Sequence, residues 1–377
     1  MRIFAAIFGI VVILLVAQDA FETIVLPRRV ARRIRITRFF FIVTWNTWKS
    51  LGRLMRPGAR RESYLSYFGP LSLLALFLFW AVLFVFAFGL LLWGLALPFN
   101  APEKTISFLT YLYLSGTTFF TLGLGDVIPV PGVARLLVVS EVALGFGFLA
   151  LVISYVPVIY QAFSRRELRI SLLDARAGSP ATAAEILRRN HGGKNVEELR
   201  LILHDWELWC GDILESHLSY PVLAYYRSQH DQQSWLEALT AILDTCALIL
   251  AGIEGMPAEP ARFTFAIARH AVVDLAQVFN SPPIIGVNRL SSADFAHLRD
   301  MLAQSGIILN GGTATERKLA ELRETYEPFV SGLANFLLVS LPPWITPEGN
   351  LDDWQTTAWD DLLPSIRQTL IKVMHRE

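Results

Sequence analysis

The run Leu71–Leu97 holds 27 residues without a charge, and it constrains the chain more than any other feature. As a helix rising 1.5 Å per residue it is about 40 Å long. The hydrocarbon core of a bilayer is about 30 Å thick and takes about 20 apolar residues to cross. Pro70 and Pro98 bracket the run as start and stop signals. Two further segments have this character. Ile3–Leu26 opens with fifteen uncharged residues before it meets Gln18, Asp19 and Glu22. Leu136–Phe163 is interrupted only by Glu141 and Pro157. The sequence therefore predicts an all-α membrane protein. The first segment also has the length of a signal peptide, but Arg2 is a thin positive region and no small-x-small cleavage site follows, so a retained helix is expected.

Charge sets the orientation. Residues 28–61 carry Arg28, Arg29, Arg32, Arg33, Arg35, Arg38, Lys49, Arg53, Arg56, Arg60 and Arg61, with no acid among them. By the positive-inside rule that loop is cytoplasmic. The first segment then runs inward, the second outward and the third inward again, leaving the C-terminal half in the cytoplasm of a bacterial inner membrane. The zero net charge hides this division: residues 1–163 hold 14 Lys/Arg against 6 Asp/Glu, residues 164–377 hold 19 against 27. An acidic half gives no reason to expect nucleic acid as a partner. Phe39–Leu54 alternates apolar patches with Trp45, Trp48 and Lys49, which fits a helix at the membrane interface. A solvated basic linker held to anionic lipid is the other reading. The basic residues lie beside an apolar span rather than at every third position within one, which argues against a voltage sensor.

The chemistry lies between the second and third segments. Ile106–Thr118 is apolar but too short to cross. A helix that enters and returns must bury its irregular backbone in protein or a wet pore. It leads into Thr121-Leu122-Gly123-Leu124-Gly125-Asp126. Gly123 and Gly125 admit backbone angles closed to other residues. Alternating them with ordinary residues lets successive carbonyl oxygens point toward one axis. Four such strands would stack rings of oxygens that replace the hydration shell of a cation. Thr121 adds a hydroxyl ring, and Asp126 sits just beyond. One copy per chain means that a closed pore needs a symmetric oligomer.

The stretch Thr118-Phe-Phe-Thr-Leu-Gly-Leu-Gly-Asp126 resembles the potassium-channel signature, usually written T-x-x-T-V-G-Y-G-D. Pro129, Arg135 and Gly145 stand three, nine and nineteen residues after the aspartate, as in simple two-span bacterial potassium channels. The resemblance covers roughly residues 68–165. It implies a homotetramer with potassium ions as permeant ligand, held by the carbonyls of Thr121, Leu122, Gly123 and Leu124 with Gly125 above them, and no other cofactor. It implies support of the filter by Asp126, Thr117, Thr118 and Tyr113, the last at the position of a pore-helix aromatic that contacts the aspartate. It makes Leu136–Phe163 the pore-lining helix, with Gly145 at the hinge, Phe146, Leu149 and Ile153 toward the cavity and Pro157 near the cytoplasmic mouth. Gly145 and Gly147 serve equally well as close-packing positions. Two departures stand out. Leu124 replaces the filter tyrosine, as in the second pore loop of some animal two-pore-domain channels. Thr117 stands where some relatives hold a buried glutamate. Both loosen the expectation of strict potassium selectivity. Glu141 should face protein or water, as a structural hydrogen bond or a proton sensor.

These features divide the chain into a first helix at 1–27, a basic linker at 28–67, a pore domain at 68–165 and a helical cytoplasmic domain at 166–377. In the last, helical spacing appears at Val196–Leu218, Trp235–Ile253, Ala261–Val278 and Trp354–Met374. Ser179-Pro180 resembles a helix start, and Thr313–Glu316 a capping box opening a run to about Leu341. Breaks are expected at Gly192-Gly193, Gly255–Pro260, Ser281–Gly286 and Leu341–Asn350. No strand–glycine loop–helix unit is present, and Gly192-Gly193-Lys194 is too short for a P-loop. Cys210 and Cys246 imply no zinc site or disulfide framework. His191, His204, His217, His230 and His270 lack close metal-ligand spacing, although His204 and His217 can share a helix. His270 and Asp274, four apart, fit a surface pair. Trp206 and Trp209 read as packing residues. No catalytic constellation appears, so an enzyme is not expected. The expected function is a potassium-preferring channel gated by inner helices coupled to the cytoplasmic domain. A nonselective or sodium-permeable channel is one alternative; a membrane-anchored helical sensor or scaffold is another.

Overall fold

The computed structural model describes residues 1–26, 35–102, 106–130, 132–191, 196–229, 233–347 and 352. Arg28, Arg29, Arg32, Arg33, Gly192-Gly193-Lys194, His230 and the expected helix Trp354–Met374 lie outside them. The chain forms two compact units, Met1–Gln161 and Ala162–Glu377.

The first unit is built on α1 (Arg2–Ile24) and α4 (Phe68–Gly94), which pack along each other. They meet at glycines. A Cβ on Gly94 would lie 2.5 Å from the Ala6 amide nitrogen and 2.6 Å from the Arg2 carbonyl oxygen; one on Gly9 would lie 2.6 Å from the Ala87 carbonyl oxygen. Small residues allow such backbone approach where lipid supplies no hydrophobic drive between helices. The polar end of α1 is used too. Asp19 is buried, and its Oδ2 accepts from the Thr37 amide at 2.9 Å, the Thr37 hydroxyl at 2.5 Å and the Trp80 indole at 3.1 Å. Thr37 lies in the first turn of α2 (Ile36–Leu54), so a carboxylate from another helix satisfies an amide that α2 cannot bond internally.

A short helix, α3 (Ala59–Ser66), follows α2 after an elbow, within the stretch whose composition reads as a basic linker. Trp48 stacks on Tyr64 at 4.5 Å between centroids, and Gly52 lets Leu65 approach. The helix α4 starts at Phe68 rather than Leu71, with Pro70 in its first turn, and ends at Gly94, so Pro98 lies beyond a short turn. Next come β1 (Phe99–Asn100), α5 (Phe108–Phe119) and β2 (Ile128–Pro129). The strands pair antiparallel, Phe99 with Pro129 and Asn100 with Ile128, and so close the loop that contains α5. The last element, α6 (Val133–Ala177), is longer than the expected Leu136–Phe163. It continues through Pro157 and contributes residues to both units.

The second unit contains α7 (Ala183–His191), α8 (Val196–Ser219), a 3-10 turn (Pro221–Tyr225), α9 (Trp235–Gly252), α10 (Ala258–Val278), α11 (Ser292–Gln304), α12 (Thr313–Glu324) and α13 (Glu327–Leu337). Among the described residues four helices are long and apolar enough to cross a membrane, and α9 is one of them. Nearly all of its residues are buried, with α10 and α12 packed on it, so it serves as a core helix.

Two starts differ from the sequence reading. Ser179-Pro180 lies in the turn before α7; Thr182 caps that helix, accepting from the Glu185 amide at 3.3 Å. Thr313 is the first residue of α12, with Gly312 at the cap and no side-chain cap bond, and the run breaks at Thr325-Tyr326. Capping boxes occur instead at Ser107 and Thr110, which open α5, and at Ser291 and Asp294, which open α11.

Candidate functional site

The candidate site is the turn from α5 to β2. The Thr110 hydroxyl accepts from the Ser107 amide at 3.2 Å and so caps the start of α5. Its body is wedged between α4 and α6. A Cβ on Gly89 would lie 3.3 Å from Leu112 Cα, and one on Gly145 would lie 2.2 Å from the Phe119 carbonyl oxygen. At its C-terminal end Phe119 lies 5.7 Å from Phe84 and 5.9 Å from Phe148, ring to ring. The Ser115 hydroxyl bridges the Val85 carbonyl oxygen at 2.8 Å and the buried carboxyl of Glu141. Glu141 therefore ties α6 to α5 inside the apolar unit, where a polar group needs a partner.

Beyond α5 the backbone alternates in hand. Thr121, Gly123 and Gly125 have φ of 56°, 55° and 74°. Thr121 adopts a conformation that L side chains rarely take. The Leu122 and Gly123 amides both donate to the Thr117 carbonyl, at 2.7 and 3.2 Å. They tie this stretch back onto the end of α5. Thr118 is buried, and the Thr117 hydroxyl bonds its own helix at the Leu114 carbonyl, 3.0 Å away. The Tyr113 hydroxyl donates to Asp126 Oδ2 at 2.8 Å, and the Val127 amide donates to Asp126 Oδ1 at 3.0 Å. Thr121–Asp126 are all exposed in the single chain.

On α6, Phe146, Leu149 and Ile153 are 66%, 52% and 63% exposed, while Gly145 is buried against Phe119. Gly145 is thus a close-approach position. Nothing lies within 4 Å of a Cβ on Gly147. An apolar groove of about 200 Å³ runs from Phe77 and Ala81 past Phe119 and Thr121 to Phe146 and Leu149.

In the second unit His204 and His217 share α8 but not a site: His204 is exposed beside Glu207, and His217 is buried beside Arg166. His270 and Asp274 lie 3.7 Å apart on the surface. Trp206 and Trp209 are buried with ring centroids 5.2 Å apart. Cys210 and Cys246 are both buried thiols. Among the described residues no group of three or more His, Cys, Asp or Glu could hold a metal.

Residues 73–161, from within α4 to the part of α6 in the first unit, match the model of a family described as an ion channel. A relative, the uncharacterized membrane protein YdjJ of Bacillus subtilis (strain 168), is 27% identical over 205 residues, covering 54% of this chain. The chain spans 58% of that relative's length. No solved structure matches. The molecule is an all-α membrane protein, and its residues 73–161 are similar to the ion-channel family.

Proposed function

We propose that the protein is a potassium-preferring cation channel whose filter is Thr121–Gly125 and which conducts as a homotetramer. The carrying observation is the alternating backbone of Thr121, Gly123 and Gly125 on the end of a short helix that does not cross. Residues alternating between left- and right-handed conformations turn their carbonyls toward one side, as rings of oxygens around a cation require. The Leu122 and Gly123 amides bond the Thr117 carbonyl and the Thr121 amide bonds that of Thr118. Asp126 and Tyr113 brace the outer end, and Thr117 and Thr118 anchor the inner end. In this reading Phe146, Leu149 and Ile153 line the cavity below. Gly147 and Pro157 give α6 its freedom to bend, and the second unit conveys a signal to it. By the positive-inside rule the basic linker supports a cytoplasmic second unit.

Leu124 favours a second reading, a less selective cation channel. Its side chain is 60% exposed and has no hydrogen-bonding group with which to hold the filter's diameter. Protein reconstituted in liposomes decides between these readings. Gly123→Ala puts a Cβ on a left-handed residue, at roughly 1–2 kcal/mol, and should abolish potassium flux. Undiminished flux in that variant overturns the filter assignment. Absence of flux from the wild type under every gradient overturns the channel in favour of a sensor or scaffold. Equal potassium and sodium permeability selects the second reading.

A further inference from the structure

The contact that ties α5 to its neighbours is short of one hydrogen. Ser115 is fully buried, and its hydroxyl oxygen lies within hydrogen-bond distance of two others: the Val85 carbonyl oxygen on α4, at 2.8 Å, and Oε1 of Glu141 on α6. A hydroxyl carries one hydrogen, and a carbonyl oxygen can only accept. If Ser115 donates to Val85, the second bond must take its hydrogen from Glu141, and only a protonated carboxyl has one to give. With Glu141 ionised, two acceptors would compete for a single hydrogen, and one contact would be oxygen against bare oxygen. The surroundings point the same way. Glu141 is fully buried, and its Oε2 has no hydrogen-bond partner. In a carboxylate that oxygen would carry half of a buried charge, whereas in an acid it is a neutral carbonyl. A buried carboxyl without a counter-charge takes up a proton rather than stay ionised. Neither α4 nor α5 contains a Lys, Arg or His. The titratable groups of α5 are Tyr111 and Tyr113, whose hydroxyls donate to the Leu97 carbonyl and to Asp126. Those on either side along α6 are Arg135, which donates to the Pro129 carbonyl, and Tyr155. On α1, Arg2 lies over the Trp93 ring, Asp19 bonds Thr37 and Trp80, and Glu22 pairs with Arg35.

We propose that Glu141 is held as a neutral carboxylic acid whose proton, donated to Ser115 Oγ, closes a clamp joining α6, α5 and the Val85 carbonyl of α4. Ser115 lies in the C-terminal half of α5, the helix that leads into Thr121–Gly125, so Glu141 acts as a positioning residue for that stretch. The positioning role rests on the channel reading; the protonation does not. Infrared spectroscopy of the full-length protein in detergent, near neutral pH, reads the proton directly. The wild type should show the carbonyl band of a protonated carboxylic acid, and Glu141→Gln should lose it. Other buried carboxyls, Asp19, Asp244 and Glu327 among them, cancel in the difference between the two spectra. Ser115→Ala should shift the band to higher frequency, as a carboxyl deprived of its acceptor does. If Glu141→Gln does not fold, isotope labelling of the glutamate carboxyls should move the band in the wild type, and Ser115→Ala still tests its partner. In liposomes, wild-type potassium flux should fall as the medium turns alkaline and the clamp loses its proton. Glu141→Gln, whose amide N–H replaces the acid O–H, should lack that dependence. Identical spectra for the wild type and Glu141→Gln overturn the proposal, as does a band that Ser115→Ala leaves unmoved. Parallel pH courses of flux overturn the positioning role. Protein that conducts nothing overturns the channel reading and the positioning role with it, while the infrared band still decides whether Glu141 keeps its proton.

Discussion

At the scale of residues, Glu141 carries the clearest test. A carboxyl among apolar helices needs a protein partner, and that requirement is legible in the sequence. The identity of the partner is not, because Ser115 lies 26 residues away and meets Glu141 only once α5 has folded back between α4 and α6. Glutamine keeps a polar group that can bond the Ser115 hydroxyl; alanine removes it and leaves a cavity. Glu141→Ala should therefore destabilise the unit by roughly 2–3 kcal/mol, and Glu141→Gln by much less. Thermal melting in detergent, followed by near-UV circular dichroism, measures both. Equal melting points for the two variants would remove the bond from any structural role. Thr121 makes the complementary point. Its place in the motif is legible, but its left-handed backbone is not, since only the glycines advertise that conformation.

Elements were legible in proportion to how local their causes are. The long apolar helices announce themselves because lipid imposes a length on them. Their ends do not: α6 passes Phe163 because nothing in the following sequence stops it, and Pro157 is accommodated within the helix. Short helices such as α3 and α11 depend on tertiary partners, the Trp48–Tyr64 stack in the first case, more than on propensity. The start of α2 is fixed by Asp19, 18 residues earlier on α1. The α1–α4 crossing likewise could not be read from either helix alone, because Gly9 and Gly94 matter only once the backbones meet. A side chain at Gly94 has no room beside Ala6 and Arg2, so Gly94→Leu should force the helices apart. Cysteines placed at Ala6 and Leu91, which pack in one buried cluster, should crosslink readily in a background lacking Cys210 and Cys246, and poorly once Gly94→Leu is added. Unchanged crosslinking would mean that the pair tolerates a wider crossing than the glycines imply.

At the scale of the whole molecule, composition divides the chain into an apolar, basic part and an acidic, helical part, but it does not say what holds the second part together. In that unit Arg166 is buried and donates to the Leu223 and Tyr226 carbonyls, each at 2.8 Å, to Glu167 at 2.9 Å, and approaches His217 Nε2 at 3.3 Å. The His217 ring packs on Trp235 at 5.0 Å, and its Nδ1 lies 3.0 Å from the Ile213 carbonyl oxygen. Burial first, and the Arg166 charge second, hold the His217 pKa well below its ordinary value of 6.5. The folded unit therefore resists a proton that the unfolded chain accepts near pH 6.5. The resulting stability is fully present above that pH and is lost as pH falls below it. One such group removes up to about 1.4 kcal/mol per pH unit until the folded-state pKa is reached. The melting temperature of the full chain in detergent should thus decline from pH 6.5 to pH 5. The decline should be shallower in His217→Gln, which keeps a neutral polar side chain but cannot titrate. Ordinary carboxylates titrate mostly below this window, so the difference between the two curves isolates the histidine. Parallel curves for wild type and variant would mean that acid acts on the second unit through other groups.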